Sequence, residues 1–237
     1  MVVLPGDEVP QDALPTPTGK KKHLTLGPGL RHIPPNTVAT TIAGALVTDN
    51  KKAAAWIESN SGRYLATAGD LVIATVEKSA AEAFSCTITP HTPPASLPHL
   101  AFEGATKKTR PQLSPNSLVY ARIASATKDF APELTCVDPS TGKSEGLGPI
   151  KGGMVFKISL GMARRLLAGS KGGVAVLQFL GEKMGFEITV GRNGVLVVDG
   201  GSVKATLAIG RAVQEVDEQA LGEKAQRKLA ERVLKNV

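Results

Sequence analysis

The sequence predicts a multidomain α+β protein with a small N-terminal β domain, a five-stranded OB-type β-barrel and a C-terminal domain of mixed helices and strands. Three observations lead to this prediction. The chain has 237 residues, more than one typical domain needs. Short segments with strand-like alternation and turn residues fill residues 1–143. From residue 144 onward, apolar residues also recur at helical spacing.

The N-terminal β domain is expected at residues 1–60. The segments "VVLPGDEV" and "LTLGPGLRH" are typical of short strands joined by turns, and "TVATTIAGALVT" and "KKAAAWIES" alternate as half-buried strands do. A stretch rich in proline, glycine and lysine, residues 10–22, is expected to be a flexible connector.

The barrel is expected at residues 61–143. "GDLVIATVEKS" and "AEAFSCTITP" predict a hairpin, and "SLPHLAF", "SLVYARIASATKD" and "PELTCVDP" predict three further strands. A long polar segment, "EGATKKTRPQLSPN", separates the third strand from the fourth. Five short strands cannot bury both faces of an open sheet, whereas a closed barrel buries one face and removes the edges. The pattern therefore favours a small Greek-key OB barrel.

The C-terminal domain is expected at residues 144–237, with a β-α-α-β-β-α order followed by one extra helix. Ser202 is placed to cap the third helix. This order is that of the eukaryotic-type KH fold, an RNA-binding fold in which a GxxG loop between the first two helices clamps the nucleic-acid backbone.

Two GxxG sequences occur in this domain. Gly191-Arg192-Asn193-Gly194 lies between two predicted strands, and Asn-Gly flanked by alternating apolar residues is a strong hairpin signal because both residues tolerate positive φ. Gly191, Asn193 and Gly194 are therefore predicted to form a turn and not a clamp.

The second sequence, Gly169-Ser170-Lys171-Gly172, occupies the position of the clamp. Ser170 and Lys171 are candidate contacts to RNA there. The alternative is a helix C-cap glycine followed by a break, and we favour that the glycines are incidental.

Charge and composition narrow the function classes. The net charge is +7, and residues 144–237 hold 14 basic and 9 acidic residues, so most of the excess lies there. This suits a polyanionic partner but also an ordinary surface.

Cys86 and Cys136 are expected to be buried free thiols in an intracellular protein. The N-terminus lacks signal-peptide features, and no apolar run approaches the roughly 18 residues of a membrane span.

Catalytic and metal-binding patterns are not expected. The sequence contains no Cys-x-x-Cys, no Walker loop and no nucleophile elbow, and the histidines lack i, i+4 spacing. A metal-dependent nuclease would need several clustered acids. We therefore expect no cofactor and no metal.

The candidate binding surface is the polar segment of residues 103–116, called here the cation loop. It carries Lys107, Lys108 and Arg110 within four residues, and cations on a loop can follow phosphates without reading sequence. A solvated charged loop is the alternative. Arg122 is a further candidate contact to RNA on the barrel face. Its side chain is either an outward residue of its strand or a buried partner for an acid, and the sequence leaves both open.

Several motifs resemble the cap subunits of the RNA exosome and preserve their order along the chain. They are "VLPGD", "LGPGL", "RYLATAGDLVIATV", "KKTRPQL", "LVYARI", "GLGPIKGGMVFKI", "ARRLL" and "VGRNGVLVV". The "RPQL…LVYARI" stretch and the short length favour the smaller of the two S1/KH cap types. The third cap type has a zinc ribbon, which this sequence lacks.

The resemblance implies a non-catalytic subunit of a hetero-oligomer. Such caps sit with other cap subunits on a ring of RNase PH-like subunits and guide single-stranded RNA toward attached nucleases. It implies processing or decay of rRNA, snRNA, snoRNA and mRNA in nucleus, nucleolus and cytoplasm, with no membrane partner. It places the cations of the loop along the pore and His99 on the S1 binding face. It also gives the GxNG turn a structural role between S1 and KH. The alternative is a free-standing S1/KH RNA-binding regulator.

Overall fold

The computed structural model describes residues 1–16, 23–50, 53–60, 62–90, 92–127 and 129–236. Residues 17–22 of the expected connector and His91 lie outside the described residues, as do the side chains of Ser170 and Lys171. The chain divides into two compact units, Met1–Gly62 and Arg63–Val237. The second unit contains both the barrel and the C-terminal α/β segment.

The first unit is a small β structure. Its strands are β1 (Val2–Val3), β2 (Thr25–Leu26), β3 (Leu30–Ile33), β4 (Thr37–Thr40), β5 (Gly44–Asp49) and β6 (Ala54–Glu58). A four-stranded sheet has the order β1-β5-β6-β2, and β3 and β4 form a separate antiparallel pair. Alternate residues of β6 are buried, including Ala55 and Ile57, so the half-buried alternation expected for this strand is confirmed.

The barrel begins the second unit. Its strands are β7 (Leu71–Ser79), β8 (Ala83–Thr87), β9 (Ala95–Pro98), β10 (Leu118–Ser125) and β11 (Glu133–Thr135). They pair in the order β11-β9-β8-β7-β10, and β10 also pairs with β11, which closes the barrel. The predicted five strands and the long loop between the third and fourth are confirmed. A further short strand, β12 (Gly148–Ile150), pairs with β10.

Alternate side chains fill the barrel. Val72, Ala74 and Val76 of β7 have no exposed surface and pack in one cluster with residues of the other strands. Cys86 and Cys136 belong to this cluster and are free, as the sequence predicted. Burial in this apolar interior raises the pKa of each thiol to about 12.

The C-terminal part has the predicted KH order. Its elements are β13 (Met154–Lys157), α1 (Leu160–Leu167), a 3-10 helix (Gly169–Gly172), α2 (Ala175–Gly181), β14 (Glu187–Gly191), β15 (Val195–Asp199), α3 (Val203–Glu218) and α4 (Glu223–Asn236). The three strands form one antiparallel sheet in the order β13-β15-β14. The Ser202 hydroxyl accepts a hydrogen bond from the Ala205 amide, so the predicted cap is confirmed. Among the described residues, no helix is long and apolar enough to cross a membrane.

Candidate nucleic-acid interface

The tip of the cation loop is a compact turn. Thr106 and Thr109 bind each other reciprocally: the Thr106 amide donates to the Thr109 hydroxyl at 3.0 Å, and the Thr109 amide donates to the Thr106 hydroxyl at 3.2 Å. The Thr109 hydroxyl also donates to the Gly104 carbonyl at 3.2 Å. Lys107 and Lys108 lie between the two threonines and are exposed. The loop therefore presents two ammonium groups to solvent from an ordered turn.

Arg110 follows this turn and is only half-buried. Its Nη1 lies 2.9 Å from Nδ1 of His99. His99 lies just after β9, because the strand ends at Pro98, and its ring stacks on Phe84 with centroids 4.3 Å apart at 7°. His99 is only 5% exposed, so the expectation that its ring lies on an open binding face needs correction. The ring is covered, and Arg110 is the group of this pair that reaches the surface.

Arg122 lies beside an acid. Its Nη2 is 2.9 Å from Oδ2 of Asp138, which holds the guanidinium against the barrel wall. The Asp138 carboxylate accepts hydrogen bonds from the amide and hydroxyl of Ser140, and these bonds, more than Arg122, lower the pKa of Asp138. Arg122 is an outward residue of β10 and also the partner of an acid, so its proposed contact to RNA would compete with Asp138. We therefore remove Arg122 from the candidate interface.

The first GxxG sequence is a turn between β14 and β15. Gly191 pairs with Val195, which leaves a three-residue loop, and the Gly194 amide donates to the Gly191 carbonyl at 3.1 Å. Of the two residues that tolerate positive φ, only Gly194 adopts it, at +78°. A three-residue hairpin loop needs one left-handed residue after its turn, and glycine supplies that conformation.

Asn193 attaches this turn to the barrel. Its side chain is buried, and its Nδ2 donates to the carbonyls of Ile73 at 2.9 Å and Ile88 at 2.7 Å in the barrel. Its Oδ1 accepts from the Ile73 amide at 3.3 Å. Gly191 lies beside the Ile73 backbone and has no room for a Cβ. The turn therefore joins the KH sheet to the barrel.

Sequence reasoning missed a second set of contacts at this joint. The Tyr64 hydroxyl donates to Asp70 Oδ2 at 2.8 Å, and Arg192 Nε lies 3.3 Å from Asp70 Oδ1. Burial, and then the bond to Asp70, raises the pKa of the Tyr64 hydroxyl above its usual range. The sequence alone indicates only a turn role for Asp70, because a single carboxylate at a strand start carries no signal of its distant partners.

The second GxxG sequence is a tight connection between α1 and α2. Gly169 has φ +60°, the left-handed conformation of a residue that ends a helix. Gly172 packs directly on the Arg165 carbonyl and has no room for a Cβ, while Arg165 Nε donates to the Gly172 carbonyl at 3.0 Å. Gly169 therefore has a conformational role and Gly172 a packing role, and neither role requires RNA.

One amide at the N-terminus of α2, which could otherwise face a phosphate, is already bound. Gln226 of α4 is 1% exposed, and its Oε1 accepts from the Val176 amide in the first turn of α2 at 3.1 Å. Its Nε2 donates to the carbonyls of Gly173 at 3.2 Å and Leu221 at 2.8 Å. Glu223 lines the adjoining crevice, where its charge would repel a phosphate. Gln226 of α4 thus occupies backbone groups next to the second GxxG sequence, so the cation loop is the better candidate interface.

The barrel, the KH fold and the asparagine turn that joins them define a class of protein, the S1/KH cap type that the motifs resemble. Three family models match the chain. The model of the exosome complex exonuclease Rrp40 N-terminal domain matches residues 24–63, and that of the exosome complex component RRP40 S1 domain matches residues 64–148. A KH domain model matches residues 153–204.

Individual relatives agree with these matches. The chain is 36% identical over 222 residues to exosome complex component RRP40 of Drosophila melanogaster, covering 94% of this chain and 91% of that protein. It is 34% identical to the Bos taurus protein of the same name, over 72% of this chain and 61% of that protein. A crystal structure assigned to an exosome complex RNA-binding protein superposes with a TM-score of 0.59 at 23% identity, covering 74% of this chain and 97% of the other. The chain belongs to the exosome complex component RRP40 family.

Proposed function

We propose that this protein is a non-catalytic, RNA-binding cap subunit of the RNA exosome that guides single-stranded RNA into a central channel for 3′→5′ processing and decay. Membership of the RRP40 family supports assembly into an exosome complex. The observation that carries the RNA-guiding role is the ordered cation loop, with Lys107 and Lys108 exposed at its tip and Arg110 beside them.

Such a loop can hold RNA without reading its sequence. Lysine and arginine donate to phosphate oxygens and release counterions, so the affinity falls as salt rises. The adjacent aromatic residue, Phe84, is buried under His99 and is not available to stack on bases. A sequence-tolerant contact of this kind suits a subunit that passes many RNAs onward rather than selecting one.

The other parts of the molecule support an assembly role. The buried asparagine joint fixes the KH sheet against the barrel, and Gln226 of α4 binds the Val176 amide beside the position where a clamp would lie. We propose that the chain contacts RNase PH-like ring subunits and other cap subunits. We further propose that it works in nucleus, nucleolus and cytoplasm on rRNA, snRNA, snoRNA and mRNA. The sequence contains no cluster of acids of the kind a metal-dependent nuclease needs, which supports a non-catalytic role.

The test replaces Lys107, Lys108 and Arg110 with alanine in the reconstituted ring. Loss of up to three phosphate contacts should lower single-strand affinity uniformly across sequences. The slope of log affinity against log salt should fall by up to about 2, at roughly 0.7 per contact. The affinity is measured by fluorescence anisotropy over a range of salt concentrations.

A matched control removes three exposed lysines of α4, Lys224, Lys228 and Lys235, with the same change in net charge. If this control lowers the slope as much as the loop variant does, the effect is one of overall charge and the loop assignment is wrong. The purified chain with Mg²⁺ or phosphate is expected to leave the RNA intact. Digestion that co-purifies with the chain would contradict the non-catalytic proposal.

A further inference from the structure

The neighbours of His99 determine which of its ring nitrogens accepts a hydrogen bond and which carries the proton. Arginine only donates, so the contact from Arg110 Nη1 to His99 Nδ1 requires a lone pair on Nδ1 and the proton on Nε2. Among the described residues Nε2 is buried and has no hydrogen-bond partner. A buried donor without an acceptor costs folding free energy, and a phenylalanine stacked on Phe84 would avoid that cost. The Nε2 side of the ring therefore adds no stability, and the polar contact of the ring is the one that Nδ1 makes with Arg110.

What the histidine contributes is a fixed acceptor for Arg110. Phe84 is a core residue of β8, and it sets the plane of the His99 ring by stacking at 7°. The His99 amide also donates to the Glu82 carbonyl at 3.0 Å, which fixes the backbone that carries the ring. The ring then holds one nitrogen of the Arg110 guanidinium, and the remaining N–H groups are left to bind other acceptors.

We propose that His99 is a positioning residue for the RNA contact made by Arg110. This inference rests on the proposed function, since it assigns a role within the same loop. His99 does not contact RNA itself. It holds the guanidinium in one orientation toward solvent, which lowers the conformational entropy that Arg110 would otherwise lose when a phosphate binds.

The test compares His99→Phe, His99→Asn, Arg110→Ala and the double variant His99→Phe/Arg110→Ala in the full chain, with a single-stranded oligouridylate as the probe. Phenylalanine keeps the stack and removes the acceptor, whereas asparagine places an oxygen near the position of Nδ1. One phosphate contact with a slope of about 0.7 is worth about five-fold in affinity between 1 M and 0.1 M salt. Arg110→Ala should lose about that factor at 0.1 M salt.

We expect His99→Phe to lose most of the affinity that Arg110→Ala loses, without a lower Tm. The double variant should lose no more affinity than Arg110→Ala alone. His99→Asn should bind more tightly than His99→Phe, because it restores an acceptor. Wild-type affinity in His99→Phe, with a loss in Arg110→Ala, would overturn the positioning role and leave the proposed function standing. Equal losses in His99→Phe and His99→Asn with a lowered Tm would show a structural role and also overturn it. If Arg110→Ala and a Lys107→Ala/Lys108→Ala variant both bind normally, the proposed function fails as well.

Discussion

At the residue scale, Gly194 is a position where a specific neighbour requires that the residue have no side chain. Gly194 combines a φ of +78° with a missing Cβ that would lie 2.7 Å from the Ile158 carbonyl oxygen. The Asn-Gly pair predicted the turn from sequence, because few other pairs accept that backbone. The Ile158 contact could not be predicted, because it joins segments that are distant in sequence.

Gly194→Val is expected to destabilise the fold by roughly 1–3 kcal/mol from backbone strain alone, and by more if the Ile158 contact cannot relax. RNA affinity per folded molecule should barely change. Urea unfolding gives the stability, and Gly201→Val is the matched control. Gly201 has φ +71° but no atom within 4 Å of the position that a Cβ would take, so it isolates the strain from the contact. Normal stability of Gly194→Val with lost RNA affinity would restore the clamp interpretation of this turn.

The buried thiols should make the folded state less stable as the pH rises into the alkaline range. The folded state keeps Cys86 and Cys136 protonated up to a pKa of about 12, whereas unfolded thiols lose their protons near pH 8.5. Above pH 8.5 the unfolded state therefore binds fewer protons than the folded state. The contribution of the two thiols to the free energy of unfolding is complete below that pH and is lost progressively toward pH 12. The urea midpoint should fall between pH 8 and about pH 9.5, below the range where tyrosines ionise.

Cys86→Val, which keeps an apolar side chain on β8, should reduce this fall. A fall of the same size in Cys86→Val would show that other groups cause it. The thiols should also react with an alkylating reagent only as fast as the barrel opens.

At the scale of elements, local pattern predicted most of the fold because strands and helices here follow their own periodicities. The five barrel strands, the KH order and the Ser202 cap all came from short-range signals. What could not be predicted is how α4 is used. Its Gln226 binds backbone groups of Gly173 and Val176, about 50 residues earlier, and nothing in the α4 sequence distinguishes a buried glutamine from a solvated one.

This packing leads to a prediction about the second GxxG sequence. Ser170→Asp/Lys171→Asp changes the net charge by the same amount as replacing Lys107, Lys108 and Arg110 with alanine. Because Gln226 already binds the Val176 amide and Gly172 packs on Arg165 of α1, the Asp-Asp variant should lower RNA affinity in the assembled complex less than the loop variant does. RNA protection assays on both variants decide between the two surfaces. Loss of protection in the Asp-Asp variant with a normal loop variant would show a working KH clamp.

At the scale of the whole molecule, the barrel and the KH domain are one structural unit because their joint is buried and polar. Resemblance to a family supplied the structural role of the GxNG turn, but the residues alone gave only a hairpin. The bonds from Asn193 to Ile73 and Ile88 span 120 and 105 residues, a range that local signals cannot reach. Arg192 adds a backbone bond to the Leu71 carbonyl at 2.7 Å. The joint should therefore make the two domains unfold together.

Replacing Asn193 tests this coupling. Asn193→Leu keeps the side-chain size but leaves the Ile73 and Ile88 carbonyls without their donor, which should cost about 2–4 kcal/mol of stability. In native-state hydrogen exchange at increasing urea, β7 and the β14–β15 hairpin of the wild type should lose protection together, whereas in Asn193→Leu the two regions should open at different urea concentrations. Arg192→Ala is the control, because its half-exposed pair with Asp70 should contribute less than about 1 kcal/mol. Joint opening of both regions in Asn193→Leu would mean that apolar packing alone couples the domains, and the asparagine bonds would then only fix the turn.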